Sequence, residues 1–228
     1  MGVKKTKVII YGGNGFVGTH VAKRLSLANA KVVAVSRKGN FPKHLHEEDW
    51  AKRVSWKKGD ANQPDMELLA TCDVVVCLVG SPPIPTFNVD AYEQQLFMNG
   101  TANVSAIEAA GKAGIKRLVL LGAKIPESIQ GDRFAYAKGK RLSLEAALKF
   151  SELSKEHQAT ILQPGGIYGT RHTAGGMPIP INWVLAPLAK IMPSQLVSVD
   201  RVADRIADAA LCANSDTVAF SVIANSHI

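Results

Sequence analysis

A glycine-rich turn between an apolar run and a helix-like segment constrains the fold of this chain more than any other feature. The run Lys7–Tyr11 leads directly into Gly12-Gly13-Asn14-Gly15-Phe16-Val17-Gly18, where an amphipathic segment begins. In such a Gly-x-x-Gly-x-x-Gly turn, the glycines permit the tight turn, the approach of a pyrophosphate and close helix packing. The free N–H groups at the start of the helix favour a phosphate. The sequence therefore predicts a dinucleotide site formed by Gly12, Asn14, Gly15, Phe16, Val17 and Gly18.

Apolar runs alternate with amphipathic segments along the rest of the chain, which is the βαβ pattern. The strand-like runs are Lys7–Tyr11, Lys31–Ser36, Val54–Trp56, Asp73–Val79, Arg117–Leu121, Thr160–Leu162 and Thr217–Val222. The helix-like segments are Phe16–Ala28, Ala91–Ala113, Tyr136–Glu156 and Asp200–Cys212. We expect an α/β fold with a doubly wound parallel sheet, a Rossmann fold. It would form a single domain over residues 1–228, with a reduced C-terminal lobe over roughly 163–228 and long loops at Ser81–Asp90 and Gln163–Gln195.

Composition narrows the class of protein further. The chain has 228 residues, 46% of them hydrophobic and 20% charged, which is typical of a globular domain. No stretch approaches the roughly 20 apolar residues of a membrane span. The three cysteines (Cys72, Cys77 and Cys212) are odd in number and lack paired metal-ligand spacing. This argues against a disulfide framework or a structural metal site and favours a reducing compartment.

The net charge of +8 is concentrated near the start of the chain. The first 46 residues hold nine Lys and Arg and no Asp or Glu. Such a region suits a phosphate ligand, an anionic membrane surface, nucleic acid or organelle import, and it is equally consistent with a solvated face. We expect no nucleic-acid binding, because no aromatic stacking pattern accompanies the charge.

The residues after the second strand indicate which dinucleotide to expect. NAD sites commonly place an Asp or Glu there, but this strand ends in Ser36-Arg37-Lys38 and no acid occurs before Glu47. Charge-assisted hydrogen bonds from these side chains to a 2′-phosphate favour NADP(H) over NAD(H). The alternative is that Arg37 is an ordinary loop cation. The residues at the next two strand ends, expected beside the adenine and its ribose, are Asp60, Ala61, Val79 and Gly80.

Three further motifs occur in the order typical of one superfamily. They are Asn99-Gly100-Thr101-Ala102-Asn103, Tyr136-Ala137-Lys138-Gly139-Lys140 and Gln163-Pro164-Gly165-Gly166-Ile167-Tyr168-Gly169. With the glycine turn, they make the chain resemble the short-chain dehydrogenase/reductases in their extended or atypical branch. It is similar there to small mitochondrial Rossmann proteins of plants and fungi, whose fungal members are associated with coenzyme Q biosynthesis, and more distantly to the accessory Rossmann subunit of respiratory complex I. The resemblance adds cofactor contacts at Asn99, Lys140, Pro164, Gly165 and Ile167.

The resemblance also implies catalytic roles for Tyr136 and Lys140, which are four residues apart and so share a helix face. In the family, the Tyr delivers a proton to the substrate carbonyl, and the Lys binds the nicotinamide ribose. The Lys also stabilises the tyrosinate, because a free phenol has a pKa near ~10. The family's third residue, a Ser or Thr, is absent: Ala123 stands at its place. Ser128 is a substitute only if the following loop folds back.

Two functions follow from this combination of residues. One is NADP(H)-dependent reduction of a hydrophobic carbonyl or quinone-type molecule. The other is a non-catalytic nucleotide-holding subunit or assembly factor of a mitochondrial protein complex. The apolar segment Ile181–Ala189 has three interpretations. It covers a hydrophobic substrate, it contacts a membrane surface or a partner, or it packs on the core.

The family resemblance places the protein in the mitochondrion, on the matrix side, with the cytoplasm as the alternative. The basic, acid-free start of the chain would then act as an uncleaved import signal. Peripheral contact with the inner membrane would fit this placement. Met1–Thr6 also fits the loose N-myristoylation pattern, although a short arm before the first strand is the preferred interpretation of these residues.

Overall fold

The computed structural model describes residues 5–172, 177–180, 195–212 and 219–228. The strands are β1 (Lys7–Tyr11), β2 (Lys31–Ser36), β3 (Ser55–Lys58), β4 (Val74–Cys77), β5 (Arg117–Leu121), β6 (Gln158–Gln163), β7 (Gly166–Tyr168), β8 (Thr170–His172), β9 (Pro178–Pro180), β10 (Leu196–Ser198) and β11 (Phe220–Ala224). The helices are α1 (Phe16–Leu27), α2 (Asp49–Lys52), α3 (Met66–Ala70), α4 (Val89–Leu96), α5 (Ala102–Lys112), α6 (Ala135–Glu152) and α7 (Val199–Leu211).

Seven strands form one parallel sheet in the order β11-β6-β5-β4-β1-β2-β3. The order reverses between β1 and β4, which is the switch point of a doubly wound sheet and the usual place for a ligand. The predicted Rossmann fold is therefore confirmed. The pairs β7–β10 and β8–β9 form two small sheets outside the main one.

The sheet is covered on both faces, and β1 shows how its residues divide between them. Val8 and Ile10 pack with α1 and α7, whereas Ile9 and Tyr11 pack with α3, α5 and α6. Alternate side chains of a strand point to opposite faces, so a strand covered on both sides must be apolar throughout. All four residues of β4 are buried for the same reason. This sandwich fixes the carboxyl ends of β1, β2, β4 and β5 in one row.

Several element boundaries differ from those the sequence predicted. The expected helix Ala91–Ala113 is divided by a π-helical turn, Phe97–Thr101. The described part of the expected loop Gln163–Gln195 contains three short strands, β7, β8 and β9. The short helices α2 and α3 were not predicted, since four or five residues are too few to show a helical period. The third strand spans β3 rather than Val54–Trp56.

Some sequence expectations fall outside the described residues, namely those for Met1–Lys4, Ile181–Ala189 and Thr217. In the ranges that are described, no helix combines the length and the apolar character needed to cross a bilayer.

Candidate functional site

The glycine turn after β1 is held by backbone contacts that leave no room for side chains. Gly12 has φ +85° and its N–H donates to the carbonyl of Val35 at 3.0 Å. A Cβ on Gly12 would lie 3.0 Å from the Leu78 backbone, so the turn packs between two neighbouring strands. A Cβ on Gly18 would lie 2.2 Å from the Gly12 carbonyl oxygen. These contacts draw the start of α1 onto the strand end, as the sequence predicts.

The N-terminus of α1 has features that favour binding of an anion. Gly15 is its N-cap, no side chain caps the helix, and the first turn holds no acidic residue. The amides of Phe16, Val17 and Gly18 are the first-turn donors that such a helix offers to a ligand. Asn14 Nδ2 donates to the carbonyl of Asn40, which ties the loop after β2 to the glycine turn.

The end of β2 forms a turn that presents a cation. The Gly39 N–H lies 3.1 Å from both the carbonyl and the hydroxyl oxygen of Ser36, and Gly39 has φ +65°. Arg37 is exposed at this turn and lines the adjoining cavity. Lys38 is exposed but does not line it. In the described part of the chain, Arg37 has no carboxylate within ion-pair distance.

A cavity of about 180 Å³ opens at the switch point of the sheet. It is lined by Tyr11, Gly12, Gly15, Val35, Ser36, Arg37, Gly59, Asp60, Ala61, Leu78, Val79, Gly80, Phe97, Met98 and Ala102. One oxygen of Asp60 accepts from the Asn62 N–H at 2.9 Å, which orients the carboxylate. Burial raises the pKa of Tyr11, so its phenol stays neutral at the base of the cavity. The cavity lies where the sequence predicts the adenosine half of a dinucleotide.

Tyr136 and Lys140 both lie in the first turns of α6, and Lys140 reaches the carboxyl ends of β4 and β5. Lys140 Nζ donates to the carbonyl of Leu121 at 2.8 Å and lies 5.9 Å from the centre of the Tyr136 ring. A Cβ on Gly80 would lie 3.7 Å from Lys140 Nζ, which places the amine between the ends of β4 and β5. The predicted pair therefore shares one helix face, with Lys140 at the strand ends and Tyr136 next to it, outside the lining of the cavity at the switch point.

Burial shifts the pKa of both groups. It raises the pKa of Tyr136 to about 12 and lowers the pKa of Lys140 to about 8. The shift at Tyr136 is opposite to the stabilised tyrosinate that the resemblance implied, because loss of water disfavours the phenolate. A phenol with this pKa is protonated at neutral pH, so Tyr136 holds a proton that it could donate, although burial alone makes it a weaker acid than a free phenol.

The π-helical turn holds Asn99 against the same site. Asn99 is fully buried, accepts from the Ser81 N–H at 3.2 Å, and donates to the Ser81 hydroxyl at 2.9 Å. Its backbone carbonyl accepts from the Ser143 hydroxyl of α6 at 3.0 Å. A π-helical turn within a helix frequently marks a functional site.

Sequence reasoning missed the contact that brings α6 to this turn. A Cβ on Gly100 would lie 2.8 Å from Gly139 Cα, and a Cβ on Gly139 would lie 2.9 Å from the Gly100 nitrogen. The two glycines let the backbones touch where the helices cross, which sets the position of Lys140. Gly100 lies in the Asn99–Asn103 motif and Gly139 in the Tyr136–Lys140 motif. Neither motif shows that the two glycines touch, because the contact joins segments that are distant in the sequence.

A second cavity of about 330 Å³ lies beside Lys140 at the ends of β5 and β6. Its lining is Gly122, Ala123, Lys124, Ile125, Gln130, Ala137, Lys140, Arg141, Leu144, Ile161 and Gln163. None of these residues carries a hydroxyl group. Ser128 is exposed and is not part of the lining, so the loop does not bring it to the place of Ala123.

The residues after β6 lie near the site but outside both cavities described above. The carbonyl of Pro164 accepts from the Lys124 N–H at 2.8 Å, and the Gly165 N–H donates to Asn225 Oδ1 at 2.8 Å. Ile167 lies in β7, opposite Val197 of β10. These bonds hold the segment at the carboxyl edge of the sheet, where the nicotinamide end is expected. The described residues include no group of three His, Cys, Asp or Glu side chains that could hold a metal ion.

Comparisons with other sequences agree with this geometry. The sequence profile of a family described as NAD(P)H-binding matches residues 12–211. An uncharacterized chloroplastic protein of Arabidopsis thaliana is 36% identical over 199 residues, which cover 84% of this chain and 60% of that protein. MIOREX complex component 2 of Saccharomyces cerevisiae is 36% identical over 78 residues, or 32% of this chain and 28% of that protein. The chain thus spans less than two thirds of the length of either relative.

Solved structures of low sequence identity share the fold. ElxO with NADPH bound superposes with a TM-score of 0.73 at 17% identity, over 97% of each chain. YwfH, an NADPH-dependent reductase involved in bacilysin biosynthesis, gives 0.72 at 17% identity, over 97% of this chain and 98% of that one. A short-chain dehydrogenase/reductase family oxidoreductase from Burkholderia thailandensis gives 0.70 at 15% identity, over 99% and 94%. The chain belongs to the NAD(P)H-binding family of Rossmann domains, with the fold of the short-chain dehydrogenase/reductases.

Proposed function

We propose that this protein is an NADP(H)-dependent reductase of a carbonyl or quinone-type small molecule. The observation that carries the proposal is the placement of Tyr136 and Lys140 on one face of α6, beside the row of strand ends that begins at the glycine turn. The Tyr136 phenol is protonated at neutral pH, so it carries the proton that reduction of a carbonyl requires.

The residues of the cleft fit a dinucleotide with a 2′-phosphate. The close backbone packing of Gly12 and Gly18 leaves the uncapped start of α1 open to a pyrophosphate. Arg37 stands where the 2′-position of the adenosine ribose is expected, and no carboxylate of the described residues lies within ion-pair distance of it. This supports NADP(H) over NAD(H).

The chain's own residues would bind the substrate, orient it and move one proton. When bound, the nicotinamide supplies the hydride. Tyr136 would donate its phenolic proton to the substrate oxygen, and Lys140, which lies beside it, would hold the ribose and favour the phenolate left behind. The side chains of Leu144 and Ile161 give the adjoining cavity apolar walls, which accords with a hydrophobic substrate.

A second function is favoured by one specific observation. Ala123 cannot donate a hydrogen bond, and no described residue of the adjoining cavity supplies a hydroxyl in its place. Loss of one donor to a developing oxyanion costs about 10²–10³ in rate in a well-studied hydrolase. A nucleotide-holding subunit or assembly factor of an organellar complex would not need that donor.

We place the protein in an organelle, and in the mitochondrion on the strength of the resemblance to small mitochondrial Rossmann proteins. The Arabidopsis thaliana relative is a chloroplastic protein, which supports an organelle in general terms. A role near quinone synthesis or the respiratory chain rests on the same resemblance.

The cofactor is tested by thermal unfolding with NADPH and with NADH. We expect NADPH to raise the melting temperature more, because bound ligand stabilises the folded state by mass action. Arg37→Ala should weaken NADPH binding by roughly 10- to 100-fold, since a charge-assisted hydrogen bond is worth about 1.5–3 kcal/mol, and leave NADH unchanged. Arg205→Ala, on the exposed side of α7, is the control. Equal binding of both coenzymes would contradict the NADP(H) assignment.

Turnover is tested by NADPH oxidation with a short-chain ubiquinone analogue and with an aliphatic aldehyde. The reductase proposal predicts NADPH oxidation that Tyr136→Phe slows by about 10²–10⁴. NADPH binding without turnover of either compound, in protein that melts cooperatively, favours the nucleotide-holding function instead.

A further inference from the structure

A basic recess lies at the amino-terminal edge of the sheet, at the opposite end of β1 from the glycine turn. Five cationic side chains contribute to its lining: Lys5, Lys7, Lys31, Arg53 and Lys57. Its volume is about 410 Å³, and Val32, Val33 and Leu68 contribute apolar surface to it. No acidic side chain is among the described residues that line it. We refer to these five cations and the space between them as the amino-terminal recess.

The charges of the recess are not balanced by the fold. None of the five side chains lies within 4.0 Å of a carboxylate in the described part of the chain. Lys5 Nζ instead donates to Asn29 Oδ1 at 2.6 Å, and Lys7 Nζ donates to Thr71 Oγ1 at 2.6 Å. Asp73, the nearby acid, accepts from the backbone N–H of Lys7 at 2.8 Å and does not line the recess.

The register of the sheet adds a second observation. Lys7 of β1 and Lys31 of β2 are direct partners in the parallel pairing. Two cations on neighbouring strands at the same level of the sheet repel each other, and solvent and salt screen this repulsion only in part. A bound anion between them would turn this repulsion into attraction.

We propose that the amino-terminal recess binds a compact ligand with clustered phosphate groups. Several cations around one concavity match a multiply charged anion, and lysine binds phosphate as a point charge while Arg53 can form paired hydrogen bonds. The recess has the volume of a small-molecule site, which favours a compact ligand over an extended chain. The phosphate groups belong either to a soluble phosphorylated molecule or to the headgroup of an anionic phospholipid. This site is independent of the nucleotide cleft and of the proposed reductase activity.

The test uses the full chain saturated with NADPH, so that the nucleotide cleft is occupied. Inorganic tripolyphosphate is titrated calorimetrically at low ionic strength into the wild type, a Lys31→Ala/Arg53→Ala variant and a Lys112→Ala/Lys155→Ala control. The control also removes two positive charges, but from exposed positions outside the recess. We expect at least a tenfold loss of affinity in the recess variant and less than a twofold loss in the control, since only the recess variant loses charge-assisted hydrogen bonds to the phosphate groups.

Two vesicle preparations distinguish the sources of phosphate. Co-sedimentation with phosphatidylcholine vesicles containing a phosphatidylinositol phosphate, lost in the recess variant, identifies a headgroup; tripolyphosphate binding alone identifies a soluble ligand. Vesicles of phosphatidylcholine alone are the blank. The proposal is overturned if tripolyphosphate gives no saturable binding, or if both double variants lose affinity equally. It is also overturned if only single-stranded RNA binds the recess. Thermal unfolding of each variant checks that a loss of binding is not a loss of fold.

Discussion

Gly139→Ala tests whether the crossing of α6 with the π-helical turn positions the site. The added Cβ would lie 2.9 Å from the Gly100 nitrogen and from the Asn99 carbonyl carbon, whereas ordinary contact begins at 3.4 Å. Both neighbours are backbone atoms, so the helices must separate by about half an ångström. Overpacking of this kind costs about 1–3 kcal/mol. In a chain of this size, each kcal/mol lowers the melting temperature by about 2–4 °C.

Gly111→Ala is the matched control, because it also replaces a helical glycine. Its Cβ would meet Leu153 Cδ1 at 2.7 Å, which is the end of a flexible and largely exposed side chain that can turn away. Alanine is favoured over glycine in a helix by about 1 kcal/mol, and both variants gain this equally. The difference between the two melting temperatures therefore isolates the cost of the crossing. We expect Gly139→Ala to melt about 2–12 °C below Gly111→Ala.

The same variant has a functional consequence. Lys140 follows Gly139 directly, and its amine lies between the ends of β4 and β5. A displaced α6 carries this amine away from the ribose it is expected to bind, so NADPH should stabilise Gly139→Ala less than it stabilises Gly111→Ala. If Gly139→Ala melts at or above the control, the backbone contact does not hold the helices at a fixed distance. The reasoning about Lys140 then fails as well.

Three further outcomes are expected. Gly18→Ala places a Cβ 2.2 Å from the Gly12 carbonyl oxygen, and differential scanning fluorimetry should show the NADPH-induced rise in melting temperature reduced or lost. Ala123→Ser restores a donor at the end of β5 and should raise kcat for an aldehyde by up to about 10² without changing NADPH affinity, as steady-state kinetics and calorimetry would show. Burial and the stacked ring of His172, 3.8 Å away, lower the pKa of His44. An unfolded His titrates near 6.5, so acidification from about pH 6.5 through the lower folded value should reduce stability, and His44→Gln should make melting less pH-dependent.

The sequence predicted the parts of the fold that depend on local pattern. The run Lys7–Tyr11, the glycine turn and α1 follow one another without a gap, and each has a signal in its own residues. The apolar run in β4 indicated a strand buried on both faces, which in turn implied a parallel sheet. From the order of strands, the carboxyl-edge positions of Arg37, Asp60 and Gly80 followed.

The features that the sequence could not predict are contacts between distant segments. One such contact is between Gly100 and Gly139, and another is the stacking of His44 on His172. Each joins residues far apart in the chain, so neither produces a periodic pattern in the sequence. The π-helical turn adds a residue to a helix whose apolar pattern still reads as continuous. The amino-terminal recess likewise depends on register, because the pairing of Lys7 with Lys31 exists only once β1 and β2 are aligned.

Tyr136 separates the two proposed functions more sharply than Lys140 does. Lys140 donates to the Leu121 carbonyl, so the fold alone gives a reason for a long amine at that position. The hydroxyl of Tyr136, by contrast, makes no hydrogen bond within the described residues, although burial raises its pKa to about 12. A structural role needs only the ring, whereas turnover needs the phenolic proton. Tyr136→Phe should therefore leave the melting temperature and the NADPH-induced shift almost unchanged while lowering kcat by about 10²–10⁴. A large fall in stability would reveal a structural bond at that oxygen and remove the reason to regard the phenol as a catalytic group.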